Sequence, residues 1–235
     1  MVLDILRNER KVSVLFFIIL TIDILVKLNL DPFPYRYVSK PPLVILLFLY
    51  YYYNNKEKRK RKKLWVYLAL CCFLLGDIFI INHTNIMFLS ISLVLFAIAK
   101  VFLSLRLSHV SDFSVVRLIP FSIILFAYTV FIISLLFNSL GNFFVPALIS
   151  FFISLVLIQF AYLRREVVDK FSYVSVFIGI IFYKFSEGMM AIKTFKMDLP
   201  MQDILIMLLY GISVYLIFFG IVKEEFKKKD DFISF

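Results

Sequence analysis

Two carboxylates stand where carboxylates are costly. Asp77 closes the stretch Leu74-Leu75-Gly76-Asp77 inside the apolar segment 64–81, and Glu187 lies inside a second such segment, 171–192. About 20 apolar residues cross the ~30 Å hydrocarbon core of a bilayer, and a carboxylate at that depth costs at least ~2.5 kcal/mol unless it is paired or faces water. Both groups therefore need partners. Two buried carboxylates suit acid–base chemistry, because their surroundings can keep one protonated while the other stays ionised. Gly76 lets a neighbouring helix or a substrate come close to the backbone beside Asp77.

The other ionisable groups within apolar segments are Asp23, Lys27, Lys100 and Lys184, with Lys40 at the start of a helix. Asp23 and Lys27 are four apart and Lys184 and Glu187 three apart, so each pair shares a helix face and can neutralise itself. On a structural reading these are ion pairs and nothing more. On a functional reading Asp77 and Glu187 form a buried acid/base pair, and charge inside a membrane is a functional sign by default. Lys100 has no partner on its own helix and must find one across helices or lose its proton. At a rise of ~1.5 Å per residue, Asp77, Glu187 and Lys40 fall in the outer half of the bilayer, the shared depth that a common cavity requires. Lys100 falls nearer the inner half.

Other chemistries find little support. His83 and His109 lie in different loops, on opposite sides by the topology below, so they cannot share a metal. Cys71 and Cys72 are adjacent, match no metal spacing and read as small packing residues. No nucleophile-elbow, zinc-helix, phosphate-loop or dinucleotide glycine motif is present, so neither metal nor cofactor is expected.

The elements that must position the two acids are membrane helices. With 62% hydrophobic residues, 29 Phe and a mean hydropathy of +0.93, the 235-residue chain is too apolar for a soluble domain. Windows of ~19 residues predict eight transmembrane helices at about 12–30, 38–53, 64–81, 86–107, 116–137, 143–163, 171–192 and 202–222. The fold class is all-α, a polytopic integral membrane protein of one domain over 1–235. The first span reads as a retained helix, since no small-residue cleavage site follows it. Lys40-Pro41-Pro42 suits the first turn of the second span, where proline loses no hydrogen bond.

Orientation follows from lysine and arginine. With the N-terminus inside, the inner segments hold Arg7, Arg10 and Lys11, the basic run 56–63, Arg106 and Arg117, Arg164, Arg165 and Lys170, and Lys223 with Lys227, Lys228 and Lys229. The outer connections hold only Arg36, Lys40, Lys193 and Lys196, which predicts N-in and C-in. The net charge of +10 is thus loop charge that orients the chain and meets anionic lipid, not a nucleic-acid surface. The run 56–63 reads first as a topology determinant and second as a lipid-binding patch. Tyr50 to Tyr53 and Trp65 read as an interfacial aromatic belt. Short connections such as 82–85 leave no extramembrane catalytic module.

The chain resembles the YhhN-type lysoplasmalogenase family of eight-helix membrane proteins. The similarity runs through Ser39-Lys40-Pro41, Phe73-Leu74-Leu75-Gly76-Asp77-Ile78, Phe96-Ala97-Ile98-Ala99, and the segment from Phe185-Ser186-Glu187-Gly188 to Ala191 and Phe195. The final helix, from Tyr210 to Gly220, is similar as well. Lys100 stands where the family pattern has His, Leu103 where it has Tyr, Glu187 where it has Asp, and Val214 where it has Gln.

The resemblance implies hydrolysis of the vinyl-ether bond of lysoplasmalogen-like lipids, with membrane lipid or lysolipid as the partner and the plasma membrane of a bacterium as the location. It assigns catalysis to Asp77 and Glu187 and substrate binding to Lys40, Gly76, Lys100, Lys184 and Tyr210. The alternative is a non-catalytic lipid-binding or structural relative of the same fold. A small transporter ranks third, weakened by the short loops and the lack of an internal repeat.

Overall fold

The computed structural model describes residues 2–108 and 115–226. His109, Lys227, Lys228 and Lys229, and the side chain of Arg117, lie outside what it describes. The chain is all-α. The helices are α1 (Val2–Arg7), α2 (Glu9–Asn29), α3 (Tyr37–Ser39), α4 (Pro41–Asn54), α5 (Lys60–Ile80), α6 (Ile86–Leu107), α7 (Val115–Leu140), α8 (Phe144–Leu163), α9 (Lys170–Phe195) and α10 (Gln202–Val222). An irregular turn, Pro32–Arg36, joins α2 to α3.

Six stretches are long and apolar enough to cross a membrane: Glu9–Asn29, Lys60–Ile80, Ile86–Leu107, Ser122–Glu166, Lys170–Phe195 and Gln202–Val222. This is the make-up of a polytopic membrane protein. The fourth stretch is continuous by composition, but a turn at Gly141–Phe143 divides it into α7 and α8. The expected second span is broken differently. Its first residues form the short α3, Lys40 ends that turn, and α4 starts afresh at Pro41 with only 14 residues. A proline-led restart is favourable because the first turn has no partner for the missing N–H.

The outward faces are apolar, as lipid contact requires: Ile123, Ile124, Phe126, Phe131 and Phe152 are all exposed. The interior is built around α10, which packs on α9, α2 and α4. Its partner α9 comes close because Gly179 faces it: a Cβ there would lie 2.9 Å from the Ser213 carbonyl oxygen and 3.0 Å from the Ile217 nitrogen. Backbone atoms cannot rotate away as a side-chain tip does, so the position excludes larger residues. Aromatic edges continue the packing from Phe73 to Tyr183 and Phe218, with ring centroids 5.8 and 6.0 Å away.

An ion cluster ties the end of the bundle that carries the basic run 56–63. Glu224 pairs with Arg106 and Arg164, each at 2.9 Å, accepting from Arg164 at that distance and from Arg106 at 3.3 Å, and Arg106 also reaches Glu57 at 3.4 Å. Burial pushes the Glu57 carboxyl up, but the Arg59 backbone N–H and the Arg106 and Arg59 charges outweigh burial and hold it below its ordinary value. One residue of the basic run is therefore a structural acid that anchors the loop before α5.

Replacing Gly179 by leucine should force α9 and α10 apart, at a cost of ~1–3 kcal/mol. The thermal unfolding midpoint of the detergent-solubilised protein measures it. A Gly179→Leu variant as stable as the parent would contradict the close α9–α10 approach.

Candidate functional site

At the opposite end of the bundle a cavity of about 140 Å³ opens between the Pro32–Arg36 turn and helices α5, α6, α8, α9 and α10. Much of its wall is apolar, including Leu89, Leu93, Phe96, Phe151, Ile206 and Met207. Into this wall are set Lys27, Arg36, Lys40, Asp77, Glu187, Lys193 and Tyr210. Both carboxylates singled out in the sequence thus border one space.

Asp77, fully buried near the C-terminal end of α5, is met from two directions. Tyr210 donates its hydroxyl to Oδ2 at 2.7 Å. Lys40 Nζ stands 2.9 Å from Oδ1, yet it lies off the hydrogen-bond direction and Oδ1 has no hydrogen-bond partner. We read the contact as an ion pair, because at such a distance the Coulomb attraction does not depend on lone-pair alignment. Lys40 also lies over the Tyr210 ring, 5.4 Å from its centroid, a cation–π placement that holds ammonium and phenol together. The break between α3 and α4 is what lets Lys40 reach inward.

Glu187 on α9 is more fully held. Lys100 Nζ is 2.5 Å from Oε1, Ser154 donates to Oε2 at 2.7 Å, Ser150 donates to Oε1 at 3.1 Å, and Lys184 Nζ is 3.4 Å from Oε2. Lys100 donates as well to the Ser150 carbonyl at 3.0 Å, and its Nζ lies within 2.9 Å of both serine hydroxyls. Lys184 rests its ammonium 3.8 Å from the centroid of the Phe151 ring. Two cations and two hydroxyls around one carboxylate favour its ionised form and fix its position.

Of the residues assigned from the sequence, Lys40, Asp77, Glu187 and Tyr210 line the cavity, whereas Gly76, Lys100 and Lys184 stand behind its wall. Gly76 faces the Phe96 ring, which would lie 3.0 Å from a Cβ at that position, so the close approach there is made by a neighbouring helix. Lys100 finds its partner across helices. The expectation that Asp23 and Lys27 neutralise each other is corrected. Ser39 donates to Asp23 at 2.6 Å with Arg36 at 3.8 Å, and Lys27 pairs with Asp203 at 2.7 Å. The Pro32–Ser39 connection folds back over α2 and brings those partners to the face that Asp23 presents.

Sequence reasoning missed Ser150 and Ser154, which are four apart on one face of α8, a spacing that signals a polar stripe in an apolar helix. It also missed Arg36 and Lys193, counted only as outer-loop charges, and Tyr183, which lines the cavity beside Tyr210 with ring centroids 6.2 Å apart. Among the described residues no group of His, Cys, Asp and Glu is placed to hold a metal. The arrangement suits proton transfer beside an apolar wall. It holds one carboxylate with every oxygen engaged and one with an oxygen left without a hydrogen bond.

If Lys100 and Glu187 act as a unit, Lys100→Met alone should destabilise the protein by ~3–5 kcal/mol through the charge it strands, while adding Glu187→Leu should recover much of that loss. A double-mutant cycle on thermal or denaturant unfolding reads the coupling. Additive losses would show that the two are independent.

Neither a curated protein nor a solved structure matches this chain. A family match covers residues 35–221, from the turn before Lys40 to the end of α10, and so takes in Lys40, Asp77, Lys100, Glu187 and Tyr210 together. The chain belongs to the YhhN family.

Proposed function

We propose that this protein is a membrane-embedded lysoplasmalogenase-type hydrolase, which cleaves the vinyl-ether bond of lysoplasmalogen-like lipids to a fatty aldehyde and a glycerophospho-headgroup. The observation that carries the reading is that Asp77 and Glu187 border one largely apolar cavity with unequal surroundings. The resemblance of this chain to the YhhN-type lysoplasmalogenases supplies the reaction.

In this mechanism the Asp77 carboxyl gives its proton to the β-carbon of the alkenyl chain. The π pair forms the new C–H bond, and an oxygen lone pair makes the oxocarbenium. The ionised carboxylates of Asp77 and Glu187 stabilise that cation, which an apolar cavity alone would not tolerate. Water adds to the α-carbon and yields a proton to Asp77. The hemiacetal then collapses: Asp77 gives its proton to the glycerol oxygen as the C–O bond breaks, and the resulting carboxylate takes the hydroxyl proton. One water is consumed and Asp77 is returned to its acid form. Asp77 is the acid and reacts in its protonated form: it faces a single, unaligned ammonium and one phenol, whereas two cations and two serine hydroxyls keep Glu187 ionised. Lys40 and Tyr210 orient Asp77 and moderate its charge as the proton comes and goes.

The second reading, a non-catalytic lipid-binding relative, draws on one observation. Lys100, at the position of the family's histidine, spends its charge on Glu187 at 2.5 Å instead of exchanging protons.

We place the protein with eight spans in the inner membrane of a bacterium, both termini inside. The Glu57–Arg106–Glu224 end then faces the cytoplasm and the cavity lies in the outer half.

Aldehyde release from an alkenyl lysophospholipid should fall at least ~100-fold in Asp77→Asn. Lys100→His should raise it, by placing a group that titrates near neutrality beside Glu187. Unchanged rates in both variants would refute the site. Absence of release in every variant, with lipid still bound, would favour the non-catalytic relative. Topology is tested separately: a cysteine at position 60, Lys60→Cys, should resist impermeant thiol reagents on intact cells, and labelling from outside would reverse the orientation.

A further inference from the structure

The mouth of the cavity carries more cation than its acids neutralise. Lys27 and Lys193 share Asp203, at 2.7 and 2.5 Å. Arg36 is buried, yet its guanidinium is poorly met by protein. Its Nη2 stands 3.4 Å from the Met207 sulfur, a weak acceptor, and 3.8 Å from Asp23 Oδ2, while its Nε has no partner. Arg106 and Arg164 also keep an unmet Nε, but each has a carboxylate at 2.9 Å, whereas the nearest to Arg36 is at 3.8 Å and Arg36 borders a cavity, where an anion would supply the missing acceptor. His83 is disfavoured as a further cation here: burial, then Lys193, hold its imidazole below the ordinary histidine value. The groups at the mouth, Lys27, Arg36 and Lys193 against Asp23 and Asp203, leave one positive charge uncompensated.

Arg36 and Lys40 are one helical turn apart, joined by the Lys40 N–H to the Arg36 carbonyl at 3.2 Å. A turn rises ~5.4 Å, comparable with the three-carbon glycerol that separates a phosphate from an sn-1 ether oxygen. Lys40 in turn touches Asp77. An anion on Arg36 therefore sets the bond one glycerol away beside the carboxylate.

We propose that Arg36, with Lys27 and Lys193, holds the phosphodiester of a single-chain glycerophospholipid at the mouth of the cavity. The monoanion matches the uncompensated charge, and the planar guanidinium gives a phosphate two parallel donors. This subsite rests on the lipid-hydrolase reading for its ligand, though not on turnover.

The test is binding of ligands that cannot be hydrolysed, on the full-length protein in detergent: a saturated 1-O-alkyl lysophosphatidylcholine, the phosphate-free 1-O-alkylglycerol, and inorganic phosphate. The parent should bind the phospholipid about tenfold or more tightly than the alkylglycerol, the discrimination expected of one or two charge-assisted hydrogen bonds. Arg36→Gln should erase that preference and leave alkylglycerol binding as it was. Because Arg36 is buried, Lys193→Gln at the rim serves as the second variant and should weaken the preference without loss of fold. Equal affinity for the two lipids in the parent, or a preference retained in a folded Arg36→Gln, overturns the assignment. Inorganic phosphate binding as tightly as the phospholipid, with alkylglycerol inert, assigns the site to a soluble phosphate and overturns the lipid source. None of these readouts depends on vinyl-ether cleavage, so a protein without aldehyde release can still pass, and an active one can still fail.

Discussion

The cost of holding charge away from water governs this structure. Every helix that carries an ionisable group into the apolar interior packs where an opposite charge or a hydroxyl can reach it. Asp77 has Lys40 and Tyr210, Glu187 has Lys100, Lys184 and two serines, and Asp23 has Ser39 and Arg36. Each set draws on different helices, so the pairings also specify which helices are neighbours. In a medium where apolar contact gives little preference for one helix over another, such polar contacts and small-residue approaches such as Gly179 decide the arrangement.

The two carboxylates show how one cavity can hold unlike acids. Lys100 gives Glu187 a partner fixed by three α8 contacts of its own, so the ion pair is rigid as well as close. Lys40 approaches Asp77 from a helix break and without hydrogen-bond alignment, which leaves that contact freer to respond to a proton. The asymmetry comes from the elements behind the residues: a continuous helix presents Lys100, and an interrupted one presents Lys40.

The far end of the bundle uses the same chemistry for another purpose. Arg106, Arg164, Glu224 and Glu57 connect α6, the end of α8, the end of α10 and the loop before α5. Carboxylate contacts at 2.9 Å to both arginines make this end a clasp. At the cavity mouth the guanidinium of Arg36 has only a sulfur at 3.4 Å and a carboxylate at 3.8 Å, and it borders open space, which distinguishes it from the arginines of the clasp.

Composition and helical spacing were enough to read the all-α membrane character and most helix positions, and to group Lys40, Asp77 and Glu187, which line one cavity. Those properties are local: hydropathy sets where a helix runs, and 3.6 residues per turn set which side chains share a face. The resemblance drew Tyr210 and Lys100 into the same group. What remained illegible was the identity of partners. Asp23 and Lys27 share a face, yet each binds elsewhere, because the Pro32–Ser39 connection and Asp203 come nearer than the next turn of their own helix. Gly76 was read as an opening for backbone or substrate, and the occupant is Phe96. Arg36 and Lys193 counted as loop charge until the fold turned them to a cavity. Periodicity fixes the direction in which a side chain points from its own axis, while the neighbour it meets depends on how separate helices pack, and only the tertiary structure determines that.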